Sequence, residues 1–457
     1  MSHEGKRPQM TGRPERPQAP KGEAPKAQRG EEEPRAANDT GRSGASDWME
    51  RALSPDNLKT ALARVRKNKG SPGVDGMETE ALPAYLRAHW GGLRNELLSG
   101  SYQPQPVKRV EIPKPGGGMR QLGIPTVVDR FIQQALLQVL QPRIDPSFSP
   151  HSYGFRPGRS AHDAVCQAQR YVQEGRRWVV DMDLEKFFDR VNHDILMGRL
   201  AKRIEDGRVL RLIRRYLGAG MFAHGMVVDR HEGTPQGGPL SPLLANVLLD
   251  EVDRELERRG HRFVRYADDC NVYVGSQRAG ERVGRVLRKL YARLKLRVNE
   301  SKSAVAPATH RKLLGYSFWR GPGGTVKRRV APKAMTAMKD RVRGITRRNG
   351  GRSMERVIEE LRGYLSGWTE YFKLADTPGV FRELDQWIRH RLRAVQLKQW
   401  KRGQTIYREL RVRGMSRINA SRVAANARRW WKNSAMSLNA AIPNRYFDGL
   451  GLPRLGT

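Results

Sequence analysis

The chain has only two cysteines, Cys166 and Cys270, among 457 residues. Two thiols cannot build a disulfide framework or a four-cysteine zinc site. They fit a reducing, cytosolic compartment and read as small packing residues. No run approaches 18 apolar residues, and Met1-Ser2-His3-Glu4-Gly5 opens no hydrophobic leader, so a soluble chain without a membrane partner is expected. Acid is the other shortage: 47 Asp+Glu face 85 Lys+Arg, a formal charge of +38. Self-repulsion of that size calls for a polyanion. A basic membrane-surface protein would need an amphipathic basic helix or a lipidation signal, and neither is present. Nucleic acid is the partner class that remains.

Residues 1–46 contain no Val, Ile, Leu, Phe, Tyr, Trp or Cys. Such a segment cannot bury enough apolar area to offset its ordering entropy, so a disordered tail is expected there. From Trp48 the pattern is globular. Leu53, Leu58, Leu62 and Val65 predict one helix over 47–69, followed by the loop Lys69-Gly70-Ser71-Pro72-Gly73-Val74-Asp75-Gly76. Residues 107–124 predict two short strands joined by a glycine turn, and 126–141 a helix. Residues 178–183 predict an apolar strand running into carboxylates. Residues 240–258 predict an amphipathic helix with Leu240, Leu243, Leu244, Val247, Leu248, Val252 and Leu256 on one face. Residues 263–274 predict a β-hairpin turning at Ala267-Asp268-Asp269. Beyond about 330 the chain is expected to be helical.

Two predicted strands therefore end in aspartates, at Asp181-Met182-Asp183 and at Asp268-Asp269. Phosphoryl transfer to a hydroxyl needs little covalent help from a protein. It is served by two divalent ions about 4 Å apart that stabilise the attacking and leaving oxygens. Magnesium prefers carboxylate oxygen, and three carboxylates from neighbouring strands meet that need. An Asp-Asp pair alone is weak, since most are solvated turns. Set between apolar strand runs, its charge is costly unless neutralised.

Arg265-Tyr266-Ala267-Asp268-Asp269 resembles the Tyr-x-Asp-Asp box of reverse transcriptases, and Asp181 to His193 resembles their first metal-binding motif. Gly233 to Pro242 (Gly-Thr-Pro-Gln-Gly-Gly-Pro-Leu-Ser-Pro) resembles the motif between them. Ser152 to Ser160, Pro72 to Gly76 and Lys312 to Tyr316 narrow the resemblance to group II intron-encoded reverse transcriptase–maturases, over about 50 to 450. That resemblance implies an α+β right-hand polymerase: fingers and palm with an antiparallel palm sheet, then a helical thumb and an RNA-binding maturase region. The expected divisions are 1–46, 47–320, 321–385 and 386–457.

The resemblance also implies roles. Asp183, Asp268 and Asp269 would hold two Mg²⁺ ions, with Mn²⁺ an alternative, and Leu184 would offer its carbonyl. Asp181 points the same way as Asp183 on a strand, but the motif puts the ligand just before Leu184. Phe188 would stack under the sugar and exclude a 2′-hydroxyl, where plain core packing is the other reading. Lys114 and Arg120, flanking a glycine turn, would bind the dNTP triphosphate, and Gln236 would meet the nucleotide from its glycine loop. His162 and His193 read as structural or RNA-facing.

From Gln386 to Lys432 the only carboxylate is Glu409, among interleaved Trp387, Trp400, Tyr407, Trp430 and Trp431. Basic side chains neutralise phosphates and aromatics stack on unpaired bases, although a basic bundle with tryptophans in its core would read alike. Arg389, Arg391, Arg393, Lys398, Lys401 and Arg402 are the candidate RNA contacts there. The Leu361 to Phe372 segment resembles the thumb/maturase region. No cysteine follows Cys270, so the Cys-rich endonuclease of some relatives is not expected, and insertion would be primed by another DNA 3′ end. The expected partners are intron RNA, DNA primer or target, and dNTPs, in a bacterial cytosol or nucleoid, with a homodimer as one arrangement. Two other functions fit the same residues: a splicing-only maturase, and a retron- or defence-type reverse transcriptase.

Overall fold

The structure is a computed structural model that describes residues 47–456, except 114–117, 224, 349, 436 and 437. The expectations for the 1–46 tail and for Lys114 lie outside the described residues.

Strands are numbered β1 to β11. A four-stranded antiparallel palm sheet has the order β6-β7-β3-β8, from Arg262–Tyr266, Asp269–Val274, Trp178–Met182 and Ala304–Pro307. Both faces are covered, so adjacent residues of β3 enter different cores. Val180 and Met182 join Val272, Val274 and Cys270 beneath the helices Ser241–Arg258 and Gln277–Arg293. Val179 joins Val264 and Tyr273 in a second core that continues into the C-terminal helices.

A second sheet, β2-β1-β4-β5, carries the expected hairpin of β1 (Val107–Pro113) and β2 (Met119–Ile124), beside β4 (Met221–Ala223) and β5 (Met226–Val228). A third sheet comprises β9 (Lys312–Leu313), β10 (Tyr316–Arg320) and β11 (Val326–Val330). The longer helices that follow are Pro332–Ile345, Met354–Phe372 and Pro378–Trp400, with shorter ones to Asn444–Gly449. The division expected after 320 falls inside the β10–β11 hairpin, and the one after 385 inside the helix Pro378–Trp400. No described helix is long and apolar enough to cross a membrane.

Two elements depart from the reading of the sequence. The single helix over 47–69 is two, Trp48–Ala52 and Pro55–Asn68. Pro55 has no N–H to continue the first helix and is suited to start the second. The helix Ser241–Arg258 is buried well beyond one face, with Asn246, Asp250 and Asp253 inside.

The segment between the β1–β2 hairpin and the palm sheet is anchored at Asp129, in the first turn of the helix Val127–Ile144. It accepts hydrogen bonds from the hydroxyls of Tyr102 (2.8 Å) and Thr126 (2.7 Å) and from the Gln105 N–H (3.2 Å). Burial outweighs these donors and pushes its carboxyl up to about 6. The folded-state value lies above the ordinary one. The group's contribution to stability is therefore complete below about pH 4 and is lost as pH rises through about 6. Asp129→Asn, which cannot ionise, should gain about 2 kcal/mol relative to wild type between pH 4 and 7. Urea unfolding of both proteins at the two pH values measures this, and an unchanged difference would refute it.

Candidate active site

β6 and β7 are joined by a two-residue turn, Ala267-Asp268, because Tyr266 pairs with Asp269. Asp269 is thus the first residue of β7 rather than part of the turn. Ala267 adopts φ 57°, a left-handed conformation that costs a non-glycine residue about 1–2 kcal/mol. β3 pairs with β7 through Asp181–Asn271 and Met182–Cys270. Continuing that register by one step sets Asp183 across from Asp269, on the same side of the sheet.

The end of β3 is braced by the segment after the helix Gln277–Arg293. The Asp183 N–H donates to Ser303 Oγ (3.0 Å), and the Asn299 N–H donates to the Asp183 carbonyl (2.8 Å). Leu184 is buried and bridges Val298. Lys302 Nζ stands 3.7 Å from Asp183 Oδ2. Asp181 is engaged elsewhere, by the Arg311 guanidinium at 2.6 Å.

The carboxylates disturb one another. Burial raises Asp268, and Asp183 adds to the rise, while Arg120 and Arg265 oppose it. Asp269 keeps part of its surface open to solvent, yet desolvation of its carboxyl, with repulsion from Asp268, Asp181 and Asp183, pushes it up to about 6. Among the described residues, no three His, Cys, Asp or Glu side chains already converge tightly enough to enclose an ion. The donor set is all carboxylate oxygen and its repulsion is only partly offset, an imbalance that a hard divalent cation relieves. The residues present fit such an ion.

A cleft of ≈ 540 Å³ is lined by Phe188, Gln236, Gly237, Phe155, Arg130 and Gln134, among others. Phe188 is half-buried and meets Phe187 edge to face at 5.1 Å. Its carbonyl accepts from the Thr234 N–H (2.7 Å). Gly233, at φ 91°, permits this contact, since a Cβ there would lie 3.0 Å from the Phe188 carbonyl oxygen. The Gln236 carbonyl accepts from the Gly123 N–H of β2 (3.2 Å), tying the Gln236 loop to the hairpin that carries exposed Arg120. Phe188 and Gln236 thus share one cleft, and Arg120 is near enough to act on Asp268. Lys114 is not described. His193 is buried, with Nε2 2.7 Å from the Gly233 carbonyl, and His162 Nε2 lies 2.6 Å from the Tyr371 carbonyl.

The expected RNA contacts divide. Arg389 and Arg393 are corrections: both are buried and engaged inside the helical region. Arg389 pairs with Asp385 (2.9 Å) and Asp448 (2.5 Å), and Arg393 donates to the Ile442 carbonyl and Asn444 Oδ1. They fasten the helix Pro378–Trp400 to the chain's last turns. Lys401 and Arg402 are exposed. Arg391 lies over Trp387 and Lys398 over Trp430. Arg343 and Arg348 cap the same two rings, and with burial they hold the Arg391 guanidinium below its ordinary value. The sequence reading passed over Arg343 and Arg348, and also Lys302, Ser303 and Arg311, which reach the carboxylates from more than a hundred residues away.

Residues 112–318 match the family description "Reverse transcriptase (RNA-dependent DNA polymerase)", and residues 335–414 match "Group II intron, maturase-specific domain". The first of these implies a divalent-metal requirement. Protein YkfC of Escherichia coli (strain K12) is 41% identical, over 45% of this chain and 55% of its own length. Group II intron-encoded protein LtrA of Lactococcus lactis subsp. cremoris is 29% identical, over 62% of this chain and 58% of its own length. The chain therefore spans a little over half the length of these two relatives. Antiparallel palm sheet, carboxylate turn and paired domain matches agree: the chain joins a reverse transcriptase domain to a group II intron maturase domain, the pairing that supports a group II intron reverse transcriptase–maturase.

Proposed function

We propose that this chain is an RNA-templated DNA polymerase that also binds a group II intron RNA to promote its splicing and mobility. The observation that carries the polymerase reading is the strand register that sets Asp183 across from Asp269, next to Asp268, with the three carboxyls and Arg120 close enough to act on one another. Two Mg²⁺ ions bound by these aspartates, with the Leu184 carbonyl assisting, would neutralise charge on the attacking and leaving oxygens. Arg120, with Lys114, orients the triphosphate of a dNTP, and Gln236 meets the nascent base pair. Lys398, Lys401, Arg402 and Arg391 meet RNA phosphates, supported by the clustering of Arg343, Arg348, Arg391 and Lys398 over Trp387 and Trp430. The substrates are then a DNA primer, an RNA template and dNTPs.

The test is primer extension on a primed RNA template with dNTPs and Mg²⁺, beside splicing of the intron RNA that surrounds the coding sequence. Extension by the wild type is expected, and its absence would refute the polymerase reading. Splicing that persists with Asp183→Ala would show that RNA folding and synthesis are separate activities of one chain.

Phe188 is the proposed sugar gate. Its ring lies on the cleft wall rather than wholly in the core. Phe188→Ala should raise ribonucleotide incorporation relative to deoxynucleotide by about 10- to 100-fold, the range that shape discrimination in a pocket supplies. Competing dCTP and CTP on one template gives the ratio. An unchanged ratio would return Phe188 to simple packing.

A further inference from the structure

Arg265 is, with Arg389, among the largest fully buried side chains of the described protein, and none of its surface is exposed. A guanidinium cannot shed its charge in a protein interior, so burying one requires a complete set of acceptors. They come from three directions. Nε and Nη2 donate to both oxygens of Asp253, the shortest contact being 2.6 Å, and Asp253 is itself wholly buried. Nη1 donates to Asn246 Oδ1 (2.8 Å) and to the carbonyl of Ala267 (2.9 Å). Asp253 and Asn246 both lie on the helix Ser241–Arg258, and Ala267 is the left-handed residue immediately before Asp268.

The same network holds a second layer. Asn246 Nδ2 donates to the carbonyl of Gly154 (2.9 Å). The backbone of Arg265 exchanges hydrogen bonds with His151 and Tyr153. Gly154 lies against the turn so closely that a Cβ there would stand 2.2 Å from the Ala267 nitrogen. The loop 149–156 thus forms a lid on the back of the turn. Asn246 and Asp253 sit on the helix whose start follows the Gln236 loop.

We propose that Arg265 is a positioning residue: its guanidinium holds the strained Ala267 carbonyl against the helix Ser241–Arg258 and so fixes where Asp268 and Asp269 stand relative to the Gln236 loop. This rests on the polymerase reading above. A strained conformation persists only where the surroundings over-determine it. Three acceptors on one rigid fork supply that determination, and an ammonium, which is a point charge, cannot span them.

The test replaces the ion pair as a unit. In Asp253→Leu/Arg265→Met two apolar side chains take the place of the buried pair, an exchange that proteins often tolerate without loss of stability, while the hold on Ala267 is removed. Four quantities are measured on the full chain: the thermal midpoint, primer–template affinity, Mn²⁺ affinity without nucleic acid, and single-turnover dNTP incorporation. The expected result is a folded variant with primer–template affinity within about twofold of wild type. Its Mn²⁺ binding is weakened, and incorporation is slowed about 100-fold, the cost of ångström-scale misplacement of catalytic groups. A folded variant with wild-type Mn²⁺ binding and wild-type incorporation overturns the proposal. Should the double variant fail to fold, Arg265→Lys carries the same measurements and thresholds. A wild-type protein that extends no primer would fault the polymerase reading instead, and the Mn²⁺ affinities would still decide the role of Arg265.

Discussion

Asp268→Ala should lower primer extension by about 10³-fold or more, equivalent to about 4 kcal/mol of barrier, while leaving the protein folded. The reasoning starts from burial. Asp268 is a desolvated carboxyl pressed by Asp183 and in turn pressing on Asp269. Such an arrangement works against the metal-free fold, so its retention reflects binding, not stability. Removing Asp268 relieves the repulsion on Asp269, and the metal-free thermal midpoint should stay level or rise. Stabilisation by Mn²⁺ should disappear, since only an intact site couples binding to folding. A variant that loses activity together with its thermal midpoint would mean that Asp268 supports the fold, and one that extends primers normally would remove it from the chemistry.

The second large effect is at Asp253. Asp253→Ala should destabilise the protein by about 3–5 kcal/mol, because it strands the guanidinium of Arg265 in a fully buried site. The surface pair Arg288–Glu300, 2.7 Å apart but well exposed on both sides, gives the contrast: Glu300→Ala should cost no more than about 1 kcal/mol. Denaturant unfolding of the two variants separates them. Equal costs would mean that water reaches Asp253 when the chain is in solution.

The elements that build the candidate site were legible in the sequence because they depend on local pattern. Apolar residues before Asp181 and on both sides of Asp268 mark strands whatever the rest of the chain does. The left-handed turn at Ala267 was not legible: alanine has no preference for it, and its hold comes from Arg265, Asn246 and Gly154 acting together. Lys302 and Arg311 were missed because a basic residue in so basic a chain carries little information until its neighbours across the fold are known. Arg389 and Arg393 were misread for a related reason. Alternating arginine and tryptophan describes an RNA-facing surface and a helical core with internal ion pairs equally well. Only the positions of Asp385, Asp448 and Asn444 distinguish them. The break at Pro55 was written in the sequence, but the spacing of Leu53 and Leu58 on either side hid it.

Val179 and Val180 make β3 a party wall between two buildings. One neighbour is the palm core under Leu243 and Leu287, and the other is the core that runs through Tyr316 and Leu361 to Leu392. Three residues further on stands Asp183. A loosened helix in the C-terminal half therefore does not remain a local matter, since the wall it leans on is the one from which the first carboxylate projects. Lesions far along the chain, with no nucleic acid near them, would blunt nucleotide addition by letting that wall sway.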